Sequence, residues 1–269
     1  MYKLIAVDMD GTLLKEDKTI SEETINAINR AKAKGIKIVL ASGRPMDGIK
    51  KYLKQLDLIG KDEYALSFNG VLVQNTLTED IVVRNTIKGK DYKELHELSE
   101  ELGVNIHAFT NKGCVTPKMS KYSILEGSIN KIPVHIMPMD DIKDEDVMKV
   151  MMVDESEILD KAIDSLPKEL YEQYTIVRSA PYFLEFFNKK SNKGEGIRSL
   201  ADSLGIKQEE VICLGDAGND LHMIQYAGLG VAMGNAFDEA KEIADYVTKT
   251  NEENGVAHVI EKFALGRVS

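Results

Sequence analysis

Apolar runs alternate with helix-spaced segments along the first ninety residues of the chain. Lys3 to Met9 is short and nearly all apolar, the pattern of a strand buried on both faces. Ser21 with Glu22 and Glu23 predicts a helix start, a capping hydroxyl followed by acids at the positive end of the dipole. Ile25, Ile28 and Ala31 carry the helical spacing and Gly35 ends it. Ile36 to Ala41 reads as a second buried strand, Met46 to Leu58 as a second helix and Tyr64 to Phe68 as a third strand. Asn69-Gly70 predicts a tight hairpin into Val71 to Gln74. The same grammar returns at the end of the chain. Gly194 to Leu204 is helical, Val211 to Leu214 a buried strand, and a helix starts at Leu221. A strand at Leu229 to Ala232, a helix near Ala236, a short strand at Tyr246 to Thr248 and the segment Val256 to Phe263 complete it. Strands separated by helices imply a doubly wound parallel sheet with helices on both faces, a Rossmann-like α/β core.

The middle of the chain has a different pattern. Its strand candidates, Asn105 to Thr110, Lys149 to Asp154, Tyr174 to Ser179 and Phe183 to Asn188, are longer and more alternating, and five of the six prolines fall there. Residues 84–188 are far too many for a plain loop, which rarely exceeds ~15 residues, and enough for a domain. The expected organisation is a core of residues 1–83 and 189–269 with an α+β domain, 84–188, inserted as a cap. The two crossings are then natural hinges.

Composition narrows the function classes. With 34 Lys and Arg against 44 Asp and Glu the net charge is −10, which disfavours general binding to nucleic acid or to an anionic membrane. The two cysteines, Cys114 and Cys213, have no metal-type spacing and read as buried thiols suited to a reducing cytoplasm. No signal peptide and no membrane-length apolar run is read. The expected setting is cytoplasmic, with a small-molecule substrate and the chain as monomer or homodimer.

In such a sheet ligands sit outside the carboxyl ends of the strands. Three strands end in polar, glycine-containing loops: Asp8-Met9-Asp10-Gly11-Thr12, Ser42-Gly43-Arg44-Pro45, and Gly215-Asp216-Ala217-Gly218-Asn219-Asp220. Their convergence would place Asp8, Asp10, Asp216 and Asp220 in a small volume. A like-charged pair ~4 Å apart repels by roughly 4 kcal/mol at an effective dielectric of 20, so protons or a divalent cation must relieve the crowding. The candidate ligands are all oxygens, which favours Mg²⁺. Anion-binding parts accompany them: the Ser42 hydroxyl, the N–H groups of the Ser42-Gly43 turn, the Asn219 amide, and Lys193 at a helix start. The spacing suits a division of labour. Asp8, at the strand end, is the nucleophile that takes up a phosphoryl group; Asp10, two residues on, protonates the leaving alkoxide and then deprotonates the hydrolytic water; Thr12 steadies the loop.

These residues together resemble the four motifs of the haloacid dehalogenase superfamily of phosphatases. Asp8 to Thr12 resembles the first, Ser42 the second, Lys193 in Asn192-Lys193-Gly194 the third, and Gly215-Asp216 to Asn219-Asp220 the fourth. Over its whole length the chain is similar to the Cof-type branch with its YidA-like sugar-phosphate phosphatases, and Gly230 to Ala236 also looks family-like. The resemblance implies a Mg²⁺-dependent phosphatase, with the cap inserted between the second and third motifs. It implies that Asp8, the Asp10 backbone carbonyl and Asp216 hold Mg²⁺. It further implies that Ser42, Gly43, Lys193, Asn219 and the Met9 backbone hold phosphate, with Asp220 supporting the metal or Lys193. The second motif often has Thr where this chain has Ser42, which keeps the hydroxyl.

Two other functions compete: a phosphotransferase or mutase, with a sugar hydroxyl in place of water, and a receiver-like signalling module. Asp10 and the long insertion count against the second. The five histidines, His96, His107, His135, His222 and His258, read as surface or helix-face residues. Met137, Met139, Met148, Met151 and Met152 read as core filling, Asp140 to Asp146 as a solvated loop and helix start, and Tyr182 and Glu185 as structural rather than substrate-touching.

Overall fold

The computed structural model describes residues 1–266. The chain divides into two compact units, Met1–Arg84 with Asn192–Ser269, and Asn85–Ser191.

Among the described residues of the first unit, eight strands form one sheet, in the order Tyr246–Val247, Leu229–Ala232, Val211–Gly215, Leu4–Asp8, Lys37–Ala41, Tyr64–Ser67, Leu72–Asn75 and Ile81–Arg84. The first six run parallel and the last two form an antiparallel margin. Leu4–Asp8 is buried at every position because both faces of the sheet are covered. Ile5 and Val7 pack into a cluster with Ile28, Leu53, Val256 and Ile260. Leu4 and Ala6 face the opposite way, toward Ile197, Leu200 and Met223. Each such side chain contributes on the order of 1.5–3 kcal/mol by leaving water. This is why a parallel strand reads as an unbroken apolar run rather than an alternating one.

Local chemistry explains the element boundaries. Ser21 Oγ accepts from Thr24 N at 3.1 Å and so caps the helix Glu22–Ala33. Gly35, with φ +79°, takes the left-handed turn beyond its end. The helix expected to reach Leu58 stops at Gln55, because Asp57 adopts φ +51° and turns the chain back. The helix expected near Ala236 is Asp238–Ile243. The closing segment is Gly255–Val259, continued by a wider turn over Ile260–Ala264.

The second unit is built on a six-stranded sheet, in the order Tyr174–Ala180, Phe183–Asn188, Lys149–Val153, Asn105–Thr110, Gly113–Thr116 and Val134–Ile136. All neighbours are antiparallel except the last pair. The helices Gly89–Leu102 and Ser156–Asp164 cover one face, where Tyr92, Leu95 and Leu159 meet Ile106, Val150, Met152 and Phe186. Lys149 is fully enclosed, 3.0 Å from Glu185 and 3.3 Å from Glu126.

Two expectations are corrected in this unit. The acidic run ends in a strand, Asp146–Val147, not a helix start. That strand pairs with Ile87–Lys88, and Asp146 accepts from Thr86 Oγ1 at 2.9 Å and Lys88 Nζ at 2.7 Å. His107 is not a surface or helix-face residue. It lies on a strand, fully buried, with Nδ1 3.2 Å from Ser123 Oγ, and burial pushes its pKa down to about 3, which leaves the ring neutral. Cys114 and Cys213 are both buried and unbridged.

Candidate active site

Three parallel strands of the first unit end on the same edge of its sheet. Leu4–Asp8 delivers Asp8, Lys37–Ala41 delivers the Ser42 loop, and Val211–Gly215 delivers the Asp216 loop. The helix Lys193–Ser203 begins beside them, its N-cap Asn192 accepting from Glu195 N at 2.8 Å.

Lys193 is buried completely. Its ammonium donates to Asp8 Oδ1 and, at 2.6 Å, to Asp220 Oδ1. Asp8, Asp216 and Asp220 each present a carboxylate oxygen within 4.8 Å of the others. Two of these carboxylates therefore share the ammonium, and the third, Asp216, lies beside them. Burial, then the Asp220 charge, pushes the Asp8 carboxyl well above its usual range, against the pull of Lys193. Burial also raises Asp216. Burial opposes the charge on Lys193, but Asp220 and Asp8 more than offset it and its pKa is raised.

The three acids are not equivalent. Asp220 Oδ2 accepts from the backbone N–H groups of Asp216 and Ala217, both at 3.0 Å, while its Oδ1 accepts from Lys193. Its oxygens are occupied in shaping the loop and holding the lysine. Asp216 Oδ1 accepts from Thr12 Oγ1 at 2.8 Å, so Thr12 ties the first loop to the third. Gly11 makes that approach possible: at φ +88°, a Cβ there would lie 2.3 Å from Asp216 Oδ2. The oxygen-only donor set of Asp8 and Asp216 fits a hard cation such as Mg²⁺.

Asp10 departs from the expectation of four crowded carboxylates. Its carboxylate turns to Arg44, with Nε–Oδ2 2.9 Å and Nη2–Oδ1 2.7 Å, and to Lys18 Nζ at 2.8 Å. These cations lower its pKa against the opposing effect of burial. Two cations within reach attract it, while the negative charge of Asp8, Asp216 and Asp220 repels it. Met9 is buried, and its carbonyl accepts from Leu14 N at 2.8 Å.

On the second loop, Ser42 is buried and its Oγ accepts from Arg44 N at 3.1 Å. A Cβ at Gly43 would lie 3.2 Å from the Asn69 amide. Asn219 Nδ2 donates to Asn69 Oδ1 at 3.0 Å. The structure thus gathers Asp8, Thr12, Lys193, Asp216 and Asp220 into one hydrogen-bonded group, ties Asn219 and Gly43 to Asn69, and holds Asp10 with Arg44. Sequence reasoning did not single out Arg44, Lys18 or Asn69 as functional side chains. Arg44 and Asn69 carried a legible signal, since each follows the carboxyl end of a core strand.

The family model of the haloacid dehalogenase-like hydrolases matches residues 5–260. The chain belongs to that family. YxeH of Bacillus subtilis (strain 168) is 44% identical over 270 residues, covering 99% of this chain and 100% of that protein. The 5-amino-6-(5-phospho-D-ribitylamino)uracil phosphatase YitU of the same organism is 33% identical over 265 residues, covering 97% of each. The solved structure of the sugar phosphatase BT4131 superposes with a TM-score of 0.79 at 27% identity, covering 98% of this chain and 99% of that one. This haloacid dehalogenase-like hydrolase is an enzyme of the phosphatase type. Among its described residues no helix is long and apolar enough to cross a membrane.

Proposed function

We propose that the enzyme is a Mg²⁺-dependent phosphatase of small phosphorylated metabolites, sugar phosphates foremost, acting through an aspartyl-phosphate on Asp8. The observation that carries this reading is the contact of buried Lys193 with Asp8 beside the oxygens of Asp216 and Asp220. A carboxylate in such a place approaches an anionic phosphoryl group only if cations neutralise both. Lys193 is one such cation. Mg²⁺, held by Asp8, Asp216 and the Asp10 carbonyl, would supply the remaining positive charge.

In the first step an Asp8 oxygen bonds to phosphorus, the ester P–O bond breaks, and its electron pair leaves with the alkoxide. Asp10, its carboxyl moved from Arg44 and Lys18 to the substrate and carrying the proton gained from water in the preceding turnover, gives that proton to the alkoxide oxygen. In the second step Asp10 takes a proton from water, the water oxygen bonds to phosphorus, and phosphate leaves as Asp8 is restored. Ser42, the Gly43 and Met9 backbones, Asn219 and Lys193 hold the phosphoryl oxygens, and Asp220 keeps Lys193 in place. The unit inserted at 84–188, a cap by the family resemblance, sets substrate choice. The sugar-phosphate preference is supported by the activity named for BT4131, and the phosphoribityl compound named for YitU is the first alternative substrate.

The test is a panel of sugar phosphates and the phosphoribityl compound, assayed for phosphate release with Mg²⁺ and with chelator, beside Asp8→Asn. Mg²⁺-dependent release that is lost in the variant supports the reading. Chelator-insensitive turnover, or an active variant, refutes the mechanism. Transfer to a sugar hydroxyl without release of free phosphate would make the enzyme a phosphotransferase or mutase.

A further inference from the structure

The connection between the strands Tyr64–Ser67 and Leu72–Asn75 departs from an ordinary hairpin. Asn-Gly alone would close a two-residue turn with both residues at positive φ. Here three consecutive residues are left-handed: Phe68 at φ +51°, Asn69 at +55° and Gly70 at +93°. A phenylalanine in that region costs on the order of 1–2 kcal/mol, which the hairpin does not require.

The surroundings account for it. Phe68 N donates to Arg44 O at 3.1 Å, and Asn69 N donates to Ser42 O at 2.9 Å. The Asn69 amide lies against Gly43 and accepts from Asn219 Nδ2 at 3.0 Å. Gly70 touches the start of the Lys193 helix: a Cβ there would sit 2.2 Å from Asn192 O. One strained turn therefore touches the second-motif loop, the fourth-motif loop and the helix start that carries Lys193. Such strain persists only where surrounding contacts over-determine it, and it concentrates at functional sites.

We propose that Asn69 is a positioning residue of the phosphate cradle. Its side-chain oxygen fixes the rotation of the Asn219 amide, and its backbone N–H and amide wall hold the Ser42-Gly43 turn, so that both loops present their donors to one anion. This inference rests on the phosphatase reading above. The Asn69–Asn219 bond spends one Asn219 N–H on Asn69 and leaves the second for a phosphoryl oxygen. Without Asn69 the Asn219 amide rotates freely, and ordering it falls on each binding event.

The test uses Asn69→Gly, Asn69→Ala, Asn219→Ala and the double variant Asn69→Gly/Asn219→Ala. Each is assayed with p-nitrophenyl phosphate and Mg²⁺ for kcat and KM, with inorganic phosphate as product inhibitor, and for melting temperature with and without phosphate. Glycine accepts φ +55° freely, so Asn69→Gly removes the amide without backbone strain, whereas Asn69→Ala adds strain. Asn69→Gly is expected to keep the wild-type melting temperature and to raise KM and the phosphate inhibition constant about fivefold, the scale of one lost hydrogen bond between neutral groups, with a smaller fall in kcat. Asn69→Ala is expected to show the same KM effect with a lower melting temperature. The double variant is expected to bind phosphate more weakly than Asn219→Ala by clearly less than the product of the two single effects, because the two changes share one hydrogen bond. Wild-type KM and inhibition constant in Asn69→Gly, or multiplied effects in the double variant, would overturn the proposal while leaving the phosphatase reading intact. If the wild type released no phosphate, the phosphatase reading would fall. The phosphate-dependent rise in melting temperature would then decide Asn69 alone: its loss in Asn69→Gly supports the proposal, and its absence from the wild type, or its retention in the variant, overturns it.

Discussion

Replacing Asp8 by Asn removes one negative charge from a buried group of three carboxylates and one ammonium. Like charges no more than 4.8 Å apart, the outer span of the cluster, repel by at least about 3.5 kcal/mol at an effective dielectric near 20. Asp8 faces two such neighbours, Asp216 and Asp220, and one attractive partner, Lys193. A contact ion pair ~3 Å apart is worth about 5–6 kcal/mol on the same scale. The balance is a net relief of about 1–2 kcal/mol, increased by the lower desolvation cost of an amide. Lys193 is not orphaned, because Asp220 still holds it at 2.6 Å. With Mg²⁺ present the variant's phosphatase activity should lie at least ~10³-fold below the wild type; in chelator, Asp8→Asn should therefore be the more stable of the two. Mg²⁺ should then reverse the order. At 100 times its dissociation constant the ion stabilises the wild type by about 2.7 kcal/mol, and the variant, lacking a ligand, gains much less. Urea unfolding of both proteins with EDTA and with Mg²⁺ measures all four values. A variant less stable than the wild type in EDTA by more than about 1 kcal/mol would refute the electrostatic reasoning, and equal Mg²⁺ stabilisation of both would remove Asp8 from the ligand set.

Other outcomes follow from single features of the structure. Gly11→Ala drives a Cβ to 2.3 Å from Asp216 Oδ2 at φ +88°; a loss of about 1–3 kcal/mol is expected from strain and overpacking, with activity down at least ~10-fold, read by urea unfolding and initial rates. Lys149→Met leaves Glu126 and Glu185 buried without their cation and should cost about 3–5 kcal/mol; the triple variant with Glu126→Gln and Glu185→Gln should recover most of it in the same denaturation assay. His107 stays neutral down to a pKa of about 3, while in the unfolded chain it protonates near its ordinary 6.5. Its contribution is thus complete above pH 6.5 and is lost as pH falls, by about 2 kcal/mol at pH 5. Unfolding at pH 7.5 and 5.0 should show that much less acid sensitivity in His107→Gln, and an unchanged slope would contradict the burial argument.

What the linear chain decided by itself is local and repetitive. Runs such as Leu4 to Val7 and Val211 to Leu214 are apolar throughout, because a parallel strand between two helical layers meets no water. Ser21, Gly35 and Asn192 punctuate helices through hydrogen bonds and dihedral angles that involve only near neighbours. The acids and small polar residues after these strands were legible for the same reason, since a strand end is a local feature and a doubly wound sheet sends parallel ends to one edge.

Only the tertiary structure decided which charges pair. Asp8 and Asp10 are two residues apart, yet one faces Lys193 and the other Arg44 and Lys18, a choice fixed by where distant loops arrive. Glu185 read as structural, but its buried partner Lys149 came only with the fold, and His107 became a neutral core residue. Asn69-Gly70 announced a turn, but the left-handed Phe68 beside it answers to Arg44 across the sheet edge. Periodicity records which side of an element meets water. Electrostatic partnership depends on distances of a few ångströms between residues far apart in the chain, 185 positions for Asp8 and Lys193, and on the burial that makes those distances count.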